Sequence, residues 1–203
     1  MARAGILQNW NEGLASCETP ALAFIELSSI SRGLVLTDVI LKKAPVRVIT
    51  SQPVSSGKHV ILFFGDVASV EESYQAAIEQ AEGCVVKQIL IPAVHTGLVP
   101  YLDSLWEMDP TSRSIGDSVG IAESTTMAGA ILAADRALKT ANVLLCRMRL
   151  GQGIGGRAYF VVSGRQEEVE AASDSARLSL QETNSLARVD VIARPLEESA
   201  VYF

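Results

Sequence analysis

Few residues in this chain could do chemistry, and their spacing argues against most of it. There are two histidines, His59 and His95, and neither has a partner at a metal-ligand spacing such as HxxxH. Cys17, Cys84 and Cys146 are scattered with no CxxC pair, a pattern of reduced thiols rather than a disulfide or metal framework. The run Gly153-Ile154-Gly155-Gly156-Arg157 comes nearest to a phosphate cradle. It lacks both the Walker spacing and the closing Gly-Lys-Ser/Thr. No acid, base and nucleophile converge, so the sequence predicts no catalytic residues, no bound metal and no cofactor.

Composition narrows the partners. Lysine and arginine total 17 against 23 aspartate and glutamate, and 17 − 23 leaves −6. With no basic stripe to neutralise phosphates, nucleic acid is not an expected partner. No uncharged apolar run approaches the roughly 18 to 20 residues that span a bilayer, and the apolar run at residues 5–7 is too short for a secretory signal. The expected location is therefore the cytoplasm, away from membranes. Hydrophobic residues make up 48% of the chain but aromatics only 5%, so the core must be built from Ala, Val, Ile and Leu.

The elements that would position any site are written twice. Residues 21–46, ALAFIELSSISRGLVLTDVILKKAPV, are echoed by residues 118–143, SVGIAESTTMAGAILAADRALKTANV. Glu26 matches Glu123, Asp38 matches Asp135, Lys42 matches Lys139 and Val46 matches Val143, each at an offset of 97 (123 − 26, 135 − 38, 139 − 42, 143 − 46). Further on, Gly57 pairs with Gly156 and Gly65 with Gly164, at an offset of 99 (156 − 57, 164 − 65). A two-residue insertion in the second copy accounts for the slip, and the glycine-rich residues 151–156 are where a loop would absorb it at little cost. Because Glu26 and Glu123 stand at matching positions, a shared structural role is expected of them.

Each copy reads as βαββαβ. Residues 22–27 and 119–123 are short apolar strands. Leu34, Val35, Asp38 or Val39, and Lys42 then recur at helical spacing, as do Ile131, Leu132, Asp135 and Lys139, giving an apolar stripe with a charged edge. Ser31, and Thr125 or Thr126, are the expected N-caps. Pro45 closes the first helix. Strands follow at 46–50 and 143–150, loops at 52–56 and 151–156, strands at 60–64 and 158–162, and glycine turns at Gly65 and Gly164. Second helices from Val67 and Gln166 carry Val70, Tyr74, Ala77 and Ala81, or Val169, Ala172, Ala176 and Leu180, on one face. Strands 86–91 and 189–193 close the units. The expected organisation is an N-terminal arm (1–19), a first domain (20–97), a connector with a short helix at 98–106 (98–116), and a second domain (117–203).

These residues resemble the bacterial microcompartment shell proteins, in particular their tandem-domain, trimer-forming branch. The resemblance is carried by D-x-x-x-K-x-A-x-V, present as Asp38-Lys42-Ala44-Val46 and Asp135-Lys139-Ala141-Val143. It is carried also by the glycine loops at Gly57 and Gly156 and by Arg194-Pro195 after the closing strand. It spans residues 21–91 and 118–196. It implies an α/β (α+β) fold of two tandem ferredoxin-like BMC domains, three chains placing six domains around one axis, and a pseudohexameric tile. Such a tile would partner itself, other shell proteins in a layer, and small metabolites crossing its pore. The strand containing Glu26 comes first, as in the unpermuted branch, which typically forms single discs.

The resemblance also assigns residues. Ser55, Ser56 and Gly57, with Ile154, Gly155 and Gly156, would line the pore, which selects by diameter and polarity. Lys42, Lys139 and Arg194 would hold the tile edges, where a long stem with three donors suits a flat polar contact. Ala93 stands where the first copy would carry its arginine. One branch of the family holds an iron–sulfur cluster through a cysteine in the first pore loop; Ser55 stands there, and a hydroxyl is a poor iron ligand. Repeated ferredoxin-like domains also serve as ligand sensors, so a trimeric small-molecule sensor is the alternative.

Overall fold

The computed structural model of the chain describes residues 20–103, 116–151 and 153–203. The expected arm, Cys17, most of the connector including Trp106, and Gln152 lie outside the described residues. By contacts the chain divides into two compact units. The first holds the described residues up to Pro53 together with Gly57–Val94; the second holds Val54–Ser56 and the described residues from His95 on.

In the first unit, β1 (Ala21–Leu27) is buried along its whole length. It lies antiparallel to both β3 (Lys58–Gly65) and β4 (Val85–Ile91), and β2 (Arg47–Val54) completes the sheet in the order β2-β3-β1-β4. Helix α1 (Ile30–Lys43) is capped by Ser29, whose hydroxyl accepts the Arg32 amide at 3.3 Å. The cap is thus two residues earlier than the expected Ser31, which sits in the first turn and shares a hydroxyl contact with Ser29 at 3.2 Å. Ala44 is extended ahead of Pro45, as the proline ring demands of its predecessor. Helix α2 (Val67–Glu79) is capped by Asp66, which accepts from the Ser69 amide at 3.0 Å. Hydrogen bonding with Ser69 holds the Asp66 carboxyl below the usual carboxylate range.

Two further expectations for this unit are corrected. Strand β2 runs on through Val54, although residues 52–56 were expected to be loop, and a single 3-10 turn at Ser55–Gly57 makes the connection. The buried residues of α1 are Gly33, Leu36 and Ile40, while Leu34 and Val35, read as part of the core stripe, are exposed. A close approach sets this register: a Cβ on Gly33 would stand 2.2 Å from the His59 ring, so only glycine fits there.

The second unit repeats the plan. Strands β5 (Ser118–Ser124), β6 (Leu144–Leu150), β7 (Ala158–Gly164) and β8 (Leu186–Ala193) lie in the order β6-β7-β5-β8. Ala21 faces Gly65 in the first sheet and Ser118 faces Gly164 in the second, preserving offsets of 97 and 99 (118 − 21, 164 − 65). Even the irregularity in β1 between Glu26 and Leu27 recurs in β5 between Glu123 and Ser124. Strand β6 has its own irregularity between Leu145 and Arg147 against β7, so the stretch over which the offset grows includes a strand as well as the glycine loop. Helix α4 (Met127–Thr140) is capped by Thr126. Helix α5 (Gln166–Glu182) buries Val169, Ala172, Ala176 and Leu180 as expected, with Glu167 and Glu168 in its first turn where the helix dipole favours them.

The short helix of the connector is α3 (Val99–Asp103). Its segment is anchored at three points in the second unit. The His95 amide donates to Asp135 Oδ1 at 2.7 Å, the backbone at Gly97 runs against Leu138, and the Tyr101 hydroxyl donates to the Leu145 carbonyl. Asp135 Oδ2 also receives Lys139 Nζ at 2.6 Å. Removing a buried, doubly bonded carboxylate strands its donors. Asp135→Ala is therefore expected to destabilise the second unit by about 2 to 3 kcal/mol, read as a lower denaturant midpoint.

His59 is wholly buried, and its hydrogen-bond chain fixes its tautomer. Thr37 donates its proton to the Gly33 carbonyl at 2.8 Å, so the 2.6 Å contact between Ser51 and Thr37 must be donated by Ser51. Ser51 in turn accepts from His59 Nε2 at 2.9 Å. The proton lies on Nε2, and the buried Nδ1 has no partner. Burial lowers the His59 pKa from 6.5. The unfolded chain therefore takes up a proton as pH falls through about 6.5 while the folded chain resists. Stability is full above that value and is lost below it, by at most about 1.4 kcal/mol per pH unit. Melting temperature should fall from pH 6.5 to 5, and His59→Gln should flatten that slope.

Candidate functional site

The two segments between the middle strands are built differently. The first is the short turn at Ser55–Gly57, ended by Gly57 at φ 73° with open space where a Cβ would be. Ser55 is half-buried and Gly57 exposed; the side chain of Ser56 lies outside the described residues. The second runs from Gly151 to Arg157, pinned at its base where the Gly151 amide donates to the Arg157 carbonyl at 2.8 Å. Within it, the Arg157 amide donates to the Ile154 carbonyl at 3.3 Å, closing a turn.

Four positions of this second loop favour glycine. Gly151, Gly153, Gly155 and Gly156 all have positive φ, from 66° to 76°, a region in which other residues carry strain. Of the residues assigned to the loop, Gly155 is exposed with open space around it, Ile154 is half-buried, and Gly156 is buried. Within the second unit, the Ser55 hydroxyl accepts the Gly153 amide at 3.2 Å. A serine from the first loop and the glycine backbone of the second thus meet, a pairing for which the sequence offered no signal. Arg149 was also overlooked: its Nη2 lies 3.3 Å from where a Gly153 Cβ would stand, bringing a cation to this loop. The alternation of Arg147 and Arg149 along β6 was the available clue.

The three residues assigned to edges differ in their surroundings. Lys42, on the last turn of α1, bonds Asp38 at 2.5 Å on an open surface. Lys139 makes the same i,i+4 bond to Asp135, whose carboxylate is buried. Arg194 is exposed, has φ 50°, and donates its amide to the Asp117 carbonyl at 2.8 Å. In the first unit the comparable bond runs from the Val94 amide to the Pro20 carbonyl. Pro195 has no N–H to offer at the place corresponding to Val94, and the arginine before it supplies one instead.

Catalytic geometry fares poorly. Ser51 and His59 stand at the separation of a nucleophile and its base, but the serine proton is committed to Thr37 and His59 donates rather than accepts. The matching glutamates diverge: Glu26 is buried and paired with Lys58 at 3.4 Å, whereas Glu123 is exposed. Among the described residues no three His, Cys, Asp or Glu side chains are grouped to hold a metal, and no helix is long and apolar enough to cross a membrane.

The chain is similar to known proteins over most of its length. The sequence pattern of the BMC domain matches residues 21–94 and again 118–195. The bacterial microcompartment shell protein PduT of Citrobacter freundii is 34% identical over 177 residues, covering 87% of this chain and 94% of PduT. The carboxysome assembly protein CcmO of Synechococcus elongatus is 25% identical over 169 residues, 79% of this chain and 60% of CcmO. The crystal structure of a microcompartments protein from Desulfitobacterium hafniense DCB superposes with a TM-score of 0.77 at 30% identity, covering 89% of this chain and 97% of that one. These relatives support a shell role and not the ligand-sensing alternative. With two matched domains in one chain, each folded as βαββαβ, the protein belongs to the BMC-domain family of microcompartment shell proteins, in its tandem form.

Proposed function

We propose that three copies of this chain close into a ring, and that the ring is a pored tile of the shell. The observation that carries the reading is the doubled domain: three chains bring six equivalent folds, which a closed cyclic arrangement can place around one axis. The pore is lined by Ser55, Ser56 and Gly57 from each first domain and by Ile154, Gly155 and Gly156 from each second. Its chemistry is threefold, because a serine turn alternates with a glycine loop. Left-handed glycines keep the second loop slim. Ser55, held at Gly153, gives the rim a hydroxyl for polar solutes. Small polar metabolites are the cargo that such a rim suits.

Lys42, Lys139 and Arg194 hold neighbouring tiles edge to edge. The support for this is their exposure and the Asp38 and Asp135 bonds, which fix each lysine stem along its helix. The tiles form single discs, and the shell layer, with other shell proteins, is the partner surface. No bound cofactor is part of the reading, and neither are nucleic acid, membrane or a catalytic step.

Electron microscopy of concentrated protein is expected to show hexagonal sheets, tubes or rolled plates. The double substitution Lys42→Ala with Lys139→Ala should disperse them while leaving trimers intact by light scattering. Sheets that survive the double substitution would remove these lysines from the edge; discrete particles from the unsubstituted chain would remove the tile.

A further inference from the structure

The two copies of the first helix are alike in sequence position and unlike in covering. Leu34 of α1 is 59% exposed and its counterpart Ile131 of α4 is 0% exposed; Leu41 is 54% exposed and Leu138 is 6%. Ile30 is likewise exposed where Met127 is buried. The side chain of Asp38 is 63% exposed and that of Asp135 is 3%. On α4 the cover includes the residues that follow β4, anchored through His95 on Asp135, Gly97 on Leu138 and Tyr101 on Leu145.

The residues that follow β8 are the counterpart of that cover. Leu22 faces Ile91 in the first sheet, and Val119 faces Ile192 in the second. The offset is therefore 101 (192 − 91) after the closing strands. It maps His95 to Leu196, Gly97 to Glu198 and Tyr101 to Tyr202. Both segments form a short helix, Val99–Asp103 and Glu197–Tyr202. Yet Leu196 and Tyr202 are exposed, at 75% and 76%. Phe203 packs beside Val119, Cys146 and Val161, and Arg147 Nη1 holds the Tyr202 carbonyl at 3.1 Å. The tail is thus held in place with Leu196 and Tyr202 turned out, which lowers the ordering cost of docking.

We infer that the Ile30–Leu34–Leu41 face of α1 receives the Leu196–Tyr202 segment of a second copy of this chain. The Leu196 amide then meets Asp38 as the His95 amide meets Asp135, and Leu196 and Tyr202 cover the apolar face. Charge agrees, since Glu197 and Glu198 approach the helix end that carries Lys43. The contact joins two different surfaces, tail to helix, and such heterologous contacts pass from copy to copy until a ring closes. This inference rests on the trimer proposed above and names the surface that makes it.

Two measurements on the full chain test it. Leu34→Asp alters an exposed residue, so the fold should survive, with an unchanged circular dichroism spectrum. The trimer should fall apart by light scattering, with its association weakened about ten-fold or more. Separately, chains carrying Leu41→Cys and chains carrying Glu198→Cys are mixed and treated with a short thiol cross-linker. The mixture should yield a linked pair that neither variant yields alone. Trimers that persist in Leu34→Asp together with no linked pair would overturn this interface and leave the trimer standing. An unsubstituted chain that stays monomeric would overturn both.

Discussion

A helix in this fold has two sides to satisfy, and the sheet satisfies only one. Helices α1 and α4 each press a row of small and apolar residues onto their own strands, Gly33, Leu36 and Ile40 in the first unit and Ala130, Ala133 and Ala137 among others in the second. The opposite side of each is apolar as well. For α4 that side is closed, and closing it allows a carboxylate, Asp135, to sit buried between a lysine and a backbone amide. A buried charge of that kind is tolerable only when its hydrogen bonds are made. The same aspartate–lysine pair on α1 is solvated, so one chain contains both the covered and the uncovered form of a single surface.

That inequality gives the repeat its meaning. A chain with two identical halves would have no reason to cover one helix and not the other. Here the halves share strand order, register and even the irregularity at Glu26 and Glu123, and differ at their loops and ends. Ala93 answers to Arg194, Pro45 to Asn142, and the serine turn to the glycine loop. The core has been kept and the margins have drifted, as expected when burial constrains the core more tightly than solvent constrains a loop.

Much of the fold was legible because it rests on short-range pattern. The period of Val169, Ala172, Ala176 and Leu180 placed α5, Pro45 marked the end of α1, and Gly65 and Gly164 marked the ends of β3 and β7. Errors arose where a local signal was ambiguous. Gln52 and Pro53 read as loop yet continue β2, because β2 is an edge strand and an edge tolerates a proline. Leu34 and Val35 read as core because an apolar residue at helical spacing looks the same whether it faces its own sheet or solvent.

The sequence by itself determined the number of domains, their order of elements and the family they resemble, since a repeat of matched charges at a constant offset needs no coordinates to be seen. Only the tertiary structure decided which face of α1 is inward, because that choice hangs on Gly33 meeting His59 across the fold. It alone showed that the serine proton is committed away from His59, and that Ser55 meets the amide of Gly153. Each of these depends on residues far apart in the chain brought within a few ångströms, and no local pattern encodes such a distance.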